Sequence, residues 1–279
     1  MGNNSKKADN RRRIYLLIFI LLAACLLAVE IYRASGNVFS SDKNLDELIY
    51  GIVSRGFASL ICILMVLYCS LGKLFLLNGN DKLKSFILLI PCWLVVINNF
   101  PFISVINGTA GMNAEYYLVL LFALQCFLVG FFEEVAFRGC VFVLILQGKD
   151  RSRKDVFWAI MMSSAVFALI HLANLLSGSS VLPVIQQVGY SFLIGAMCAL
   201  ALIVTKNIWT SIFMHAVFNF AGGLIPTLGV GEIWNTPTVV ITAVLAVLVT
   251  IYSVRLFLKI DISSIDSLLR QDKAKKQEE

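Results

Sequence analysis

Four residues place carboxylate and imidazole groups inside strongly apolar stretches of the chain. Glu133 and Glu134 lie in LVLLFALQCFLVGFFEEVAFRGCVFVLIL, and the two histidines, His171 and His215, lie in SSAVFALIHLANLL and IWTSIFMHAVFNF. A carboxylate and an imidazole that meet at a water molecule can act together as a general base. A second imidazole and an amide N–H can stabilise the oxyanion that forms when water attacks a carbonyl carbon. These residue types therefore indicate a hydrolytic site.

Helical spacing separates the two glutamates. Glu134 and Arg138 are four residues apart with the acid first, which is the favourable order for an ion pair on a helix. Glu133 is rotated by about 100° from Glu134 around the helix axis. We therefore predict a buried Glu134–Arg138 pair that supports the site, and a separate role for Glu133.

Each histidine shares a helix face with an amide side chain. His171 follows Phe167 by four residues and precedes Asn174 by three, and His215 precedes Asn219 by four. Residues at these spacings are neighbours on a helix surface. Glu133 and His171 lie on segments joined by the loop 147–155, and each is roughly 25 Å from this loop along its helix axis, so we expect the two at the same depth. His215 lies roughly 14 Å from Lys206, the loop residue before its own helix, which predicts a different depth.

The same residues are also compatible with metal chemistry. Glu133, His171 and His215 would make a three-ligand zinc site with an open position for water. The H-E-x-x-H pattern of many zinc proteases does not occur. The sequence leaves the cofactor open between none and a divalent metal such as zinc.

Two other functions remain as alternatives. Buried Glu and His residues also serve proton relays, so a proton-coupled transporter is the second hypothesis. A non-catalytic membrane scaffold is the third.

The composition requires lipid as the main solvent. The chain of 279 residues is 59% hydrophobic and only 14% charged, whereas soluble domains carry about 25% charged residues. The net charge is +6, but the basic residues flank apolar runs and do not form a basic patch interleaved with aromatic residues. We therefore predict no nucleic-acid partner. The seven cysteines form no C-x-x-C pair, and we interpret them as small buried apolar residues.

Apolar runs of about 20 residues are long enough to cross a bilayer. The fold class predicted from them is all-α, a polytopic transmembrane bundle of about eight helices. The segments are 14–32, 48–71, 85–106, 116–146, 156–176, 181–205, 208–225 and 237–258. The third carries two prolines and two asparagines, so we expect it to be broken or partly inserted.

The distribution of Lys and Arg sets the predicted orientation. With eight crossings, the cytoplasmic pieces would hold eighteen of these residues, and the outer pieces only Arg33 and Lys43. This asymmetry favours a multi-pass protein of the cell membrane with the tails 1–13 and 259–279 in the cytoplasm. We expect the first segment to remain as a membrane helix rather than a cleaved signal, because the residues after Cys25 stay apolar.

Three short motifs on separate membrane segments carry a family resemblance. They are Glu133-Glu134-x-x-x-Arg138, Phe167-x-x-x-His171 and His215-x-x-x-Asn219, in this order. Together they resemble the CAAX-protease and bacteriocin-processing (CPBP, Abi) family of intramembrane proteases. The resemblance implies a protease core over 116–225, preceded by helices in 14–115 and followed by a last helix in 226–258.

The resemblance also implies roles for the motif residues. Glu133 with His171 would activate the attacking water, and His215 with Asn219 would stabilise the oxyanion. Three further residues would support the site, namely Glu134, Arg138 and Phe167.

The expected partner is a membrane-associated peptide or protein substrate within the lipid bilayer. The family includes proteases described both as metalloproteases and as metal-independent glutamate proteases, and we favour the latter mechanism. Because the chain has the compactness of a bacterial member, leader peptides of bacteriocins or pheromones, or a role in self-immunity, are the substrates and function we expect.

Overall fold

The computed structural model describes residues 38–68, 72–76, 82–146, 152–176, 178–262 and 265, with scattered residues between 13 and 36. It is 84% helical. The main helices are α1 (Lys43–Tyr68), α2 (Lys82–Asn98), α3 (Phe102–Ile106), α4 (Tyr116–Leu146), α5 (Arg153–Leu175), α6 (Val181–Thr205), α7 (Ile208–Leu228) and α8 (Thr236–Lys259). A single 3₁₀ turn, Gly72–Phe75, precedes α2.

Six of these helices are long and apolar enough to cross a membrane, counted over the described residues: α1 and α4 to α8. They correspond to six of the eight predicted segments. The first predicted segment, 14–32, falls largely outside the described residues. The all-α, multi-pass fold class is therefore confirmed.

The third predicted segment is broken before Pro101, whereas its other proline, Pro91, lies inside α2. Helix α2 ends at Asn98, and the short helix α3 begins after Pro101. A proline disfavours the helical conformation in the residue before it. The Asn98 amide donates to Thr242 Oγ1 of α8 at 3.1 Å, so this break carries a polar contact between helices of the kind that stabilises membrane bundles.

A two-stranded antiparallel sheet, which the sequence did not predict, follows α3 and α7. Strand β1 (Ala110–Met112) pairs with β2 (Gly229–Gly231), with Ala110 opposite Gly231. Gly231 has φ +105° and its backbone lies against Thr109 O. A side chain would be strained at that φ and would collide with this carbonyl.

Two of the membrane helices change their winding at the predicted site residues. Helix α4 is an α-helix from Tyr116 to Glu134, a π-helix from Val135 to Phe142, and an α-helix again over Val143–Leu146. Helix α5 tightens into a 3₁₀-helix over Ile170–Leu175. π-Helical turns are often found at functional positions, whereas a 3₁₀ turn is common at the end of an α-helix.

The chain divides into two compact units. The first contains 1–69, 93–133 and 212–249, and the second contains 70–92, 134–211 and 250–279. The first has a core of buried side chains from α1, α4 and α7, which are Leu48, Leu118, Phe122, Cys126, Leu224 and Leu228. In the second, residues 197–203 of α6 are all at most 6% exposed, so this stretch of α6 is surrounded by protein.

Candidate active site

In the first unit, α4 and α7 bring Glu133 to His215. Oε2 of Glu133 lies 3.4 Å from Nε2 of His215, and the side chains are 16% and 5% exposed. The pairing differs from the sequence analysis, which placed His215 at a different depth. Counting residues from the loop ends therefore does not give the relative depth of these two side chains.

A glycine allows α4 to approach α7 at this point. A Cβ atom built on Gly130 would lie 2.9 Å from Ile212 O and 3.0 Å from Ala216 N. Both atoms belong to the backbone of α7, which cannot rotate away as a side chain can. Gly130 lies one helical turn before Glu133, and Ala216 follows His215, so this close packing fixes the distance between the two site residues.

A second close approach supports the C-terminal half of α7. The Asn99 amide donates to Phe218 O at 2.8 Å. The Asn99 side chain lies against Gly222, where any Cβ would collide with the amide. Asn219 follows Phe218 directly and is half-buried. Asn99 and Gly222 therefore support the turn of α7 that carries Asn219.

In the second unit, the predicted ion pair is present and completely buried. Arg138 Nη1 donates to Glu134 Oε1 at 2.9 Å, and both side chains are 0% exposed. The Arg138 guanidinium also lies over the Phe167 ring, 4.6 Å from its centroid. An arginine in this position gains a cation–π interaction as well as the ion pair.

Gly195 of α6 closes the space around the Arg138 guanidinium. A Cβ there would lie 2.6 Å from Arg138 Nη2 and 3.2 Å from Phe167 Cδ1. Ser164 of α5 lies at the same place, with its Cβ at 3.2 Å. The stack of guanidinium on phenyl ring is thus held between α5 and α6 by close packing.

Phe167 connects this stack to His171. The two rings meet edge to face with centroids 5.1 Å apart, and His171 Nδ1 lies 2.9 Å from Phe167 O. Because a carbonyl oxygen only accepts, Nδ1 carries the proton in this bond. In the neutral ring, Nε2 then holds the lone pair and is the nitrogen able to take up a proton.

Asn174, the other neighbour of His171 on the predicted face, has a different partner. Its amide donates to Gln187 Oε1 at 2.8 Å and joins α5 to α6. Asn174 is thus part of the packing between these helices. The pairing of Glu133 with His171, which belong to different units, stays a prediction.

The described residues do not provide a three-ligand metal site. Within that part of the chain, no three His, Cys, Asp or Glu side chains are grouped closely enough to hold a metal ion. Glu133 and His215 belong to the first unit and His171 to the second, so the zinc alternative built from these three residues stays a prediction.

Comparison with known proteins identifies the segment that contains these residues. Residues 115–221 match the family model described as type II CAAX prenyl endopeptidase Rce1-like. This segment of the chain is therefore similar to the CAAX-protease family. All seven predicted site residues, Glu133 to Asn219, fall inside the matched segment. Neither a curated protein nor a solved structure shows significant similarity to the chain.

The sequence motifs did not reveal the residues that position the site. These residues are Gly130, Gly195 and Asn99, and none of them carries a catalytic group. The sequence pattern indicated only Asn99, as part of the broken third segment. A small residue one turn before an intramembrane acid was the available signal for Gly130. Nothing in the local sequence of Gly195 indicated its contact with Arg138.

Proposed function

We propose that the protein is an intramembrane endopeptidase that hydrolyses a peptide bond of a membrane-associated peptide or protein. The observation that carries this proposal is the pair of Glu133 and His215, 3.4 Å apart and largely withdrawn from the surface, within a segment of CAAX-protease sequence. Intramembrane ionisable groups are costly and usually functional.

In the proposed reaction, Glu133 takes a proton from water while the water oxygen attacks the scissile carbonyl carbon. We assign His171 as the partner of Glu133 in this step because its Nδ1–H bond to Phe167 O leaves the Nε2 lone pair able to accept a proton. The motif order supports this assignment.

The tetrahedral intermediate carries a negative oxygen that needs donors. We assign this role to His215 and Asn219, which share a face of α7. The imidazole of His215 already lies beside Glu133, so its N–H is close to the group that activates water. Collapse of the intermediate breaks the C–N bond, and the proton held by Glu133 passes to the leaving amine.

The proposal extends to substrates of bacterial type. Leader peptides of bacteriocins or pheromones would present a cleavable segment to a multi-pass enzyme within the bilayer. Processing of such peptides, or a role in self-immunity, is the proposed biological setting.

Comparative peptidomics tests the reaction. Membranes with the intact protein and with Glu133→Gln are compared for peptides that appear only with the intact form. Glu115→Gln is the matched control, because Glu115 is an exposed carboxylate just before the same helix. We expect products with the intact protein and the control, and none with Glu133→Gln or His171→Ala. Equal products from all four proteins would refute the proposal.

A further inference from the structure

The last part of α5 is wound more tightly than the helix before it. A 3₁₀-helix runs over six residues, Ile170–Leu175. Runs of this kind rarely exceed three or four residues, because their hydrogen bonds have poorer geometry than those of an α-helix. A run of six residues therefore needs support from outside the helix. His171 lies within this run, so the support also acts on a site residue.

Asn174 attaches the 3₁₀ run to α6 through two hydrogen bonds. Its backbone oxygen accepts from the Ser179 N–H at 3.1 Å, just before α6 begins. Its side-chain amide donates to Gln187 Oε1 at 2.8 Å. Gln187 lies in the first third of α6 and is half-buried, whereas its neighbour Gln186 is exposed. The end of α5 is thus fixed to α6 by a polar contact that only one of these two glutamines makes.

The 3₁₀ winding places Asn174 in line with His171. Side chains three residues apart eclipse each other in a 3₁₀-helix. Each residue advances about 120° around the axis in a 3₁₀-helix and about 100° in an α-helix. If the run relaxed to an α-helix from Ile170 onwards, Asn174 would turn by about 80° and His171 by about 20°. A turn of about 80° would carry Asn174 away from Gln187, so their hydrogen bond favours the 3₁₀ winding.

The orientation of His171 decides where its free nitrogen points. Nδ1 lies 2.9 Å from Phe167 O, which leaves Nε2 to take up a proton. Functional side chains need to be held within about 10–20° of their productive geometry. A turn of about 20° at His171 uses the whole of this tolerance. The winding of the α5 end therefore bears directly on the chemistry assigned to this imidazole.

We propose that Gln187 is a positioning residue of the peptidase: by holding Asn174, it keeps the 3₁₀ turn and so the direction of the His171 imidazole. This rests on the proposed function, which assigns His171 to the activation of water. Gln187 acts through Asn174 and not on the substrate. Its loss should therefore lower kcat and leave KM nearly unchanged.

Replacing Gln187 by Leu tests this proposal, with Gln186→Leu as the matched control on the same helix. With the substrate found by peptidomics, kcat of Gln187→Leu should fall about tenfold or more, and KM should stay within about twofold. The ¹⁵N signals of His171, recorded without substrate, should shift in the same variant. Gln186→Leu should change neither quantity. Gln187→Glu keeps an oxygen that accepts from Asn174 and should restore most of kcat.

A double variant separates positioning from simple packing. Asn174→Leu/Gln187→Leu leaves no donor or acceptor of the pair unsatisfied, so its unfolding temperature should return close to that of the unchanged protein. We expect kcat and the His171 signals to stay altered in it, because the 3₁₀ turn has lost its polar attachment. Recovery of kcat together with stability, or an unaltered His171 signal in Gln187→Leu, would overturn the proposal. The His171 spectrum needs no cleavage, so this outcome is distinct from failure of the peptidase assay.

Discussion

Replacing Gly130 by Ala tests whether helix packing sets the distance between Glu133 and His215. The added methyl group would lie 2.9 Å from Ile212 O, whereas ordinary contacts begin at 3.4 Å. The difference is 0.5 Å, and the obstructing atoms are backbone. Helices α4 and α7 must therefore separate or slide by about this amount.

The expected effect on activity is larger than the effect on stability. A misplacement of about 1 Å can reduce a rate about 100-fold, so a shift of half that size should reduce kcat on the order of tenfold. Overpacking costs about 1–3 kcal/mol, and Ala recovers about 1 kcal/mol of helix propensity relative to Gly. The net loss of stability should therefore stay below about 2 kcal/mol.

Two assays check this prediction. The first is the rate of cleavage in reconstituted vesicles of the substrate found by peptidomics. The second is the ¹⁵N spectrum of the imidazoles, which reports each ring nitrogen separately. Since the chain has two histidines, His171→Gln assigns both sets of signals. The Gly130→Ala protein should have a displaced His215 signal.

The matched control is Gly56→Ala in α1, where a Cβ meets nothing within 4 Å. It adds the same methyl group and the same helix propensity without the contact. We expect its activity and its His215 signal to match the unchanged protein. If Gly130→Ala retains full activity and an unaltered His215 signal, the close approach does not position the site.

Four further outcomes follow from the structure. Gly195→Ala should displace the His171 ¹⁵N signal through Phe167 and lower kcat, whereas Gly189→Ala, which meets nothing within 4 Å on the same helix, should do neither. Arg138→Met should lower the free energy of unfolding by about 3–5 kcal/mol, because it leaves the Glu134 charge without its ion pair. The double variant Arg138→Met/Glu134→Gln should recover much of this loss in the same unfolding measurement. Cleavage should persist after treatment with a chelator, and loss of activity that returns only with added zinc would contradict the metal-independent mechanism.

Local patterns predicted the features that depend on neighbours along one helix. The Glu134–Arg138 pair and the contact of His171 with Phe167 both join residues four positions apart. Such contacts follow from helix geometry alone. The break of the third segment was also local, because Pro101 restricts the residue before it.

The pairing of Glu133 with His215 could not be predicted in this way. It depends on where α4 and α7 cross, and this is decided at Gly130 by contacts with a backbone 82 residues away at Ile212. The π-helical turn after Glu134 and the β1–β2 pairing are likewise absent from the hydrophobic pattern. They involve backbone hydrogen bonds whose partners the composition does not reveal.

The sequence by itself determined that this is a multi-pass membrane protein. It contains several apolar runs long enough to cross a bilayer and too few charged residues to cover such runs in water. It also predicted which residues belong to the candidate site, since ionisable groups in lipid must turn inward. Only the tertiary structure decided which of these groups meet. The closest approach of two helices is set by their smallest side chains, and whether a given glycine lies at a crossing depends on the whole packing of the bundle.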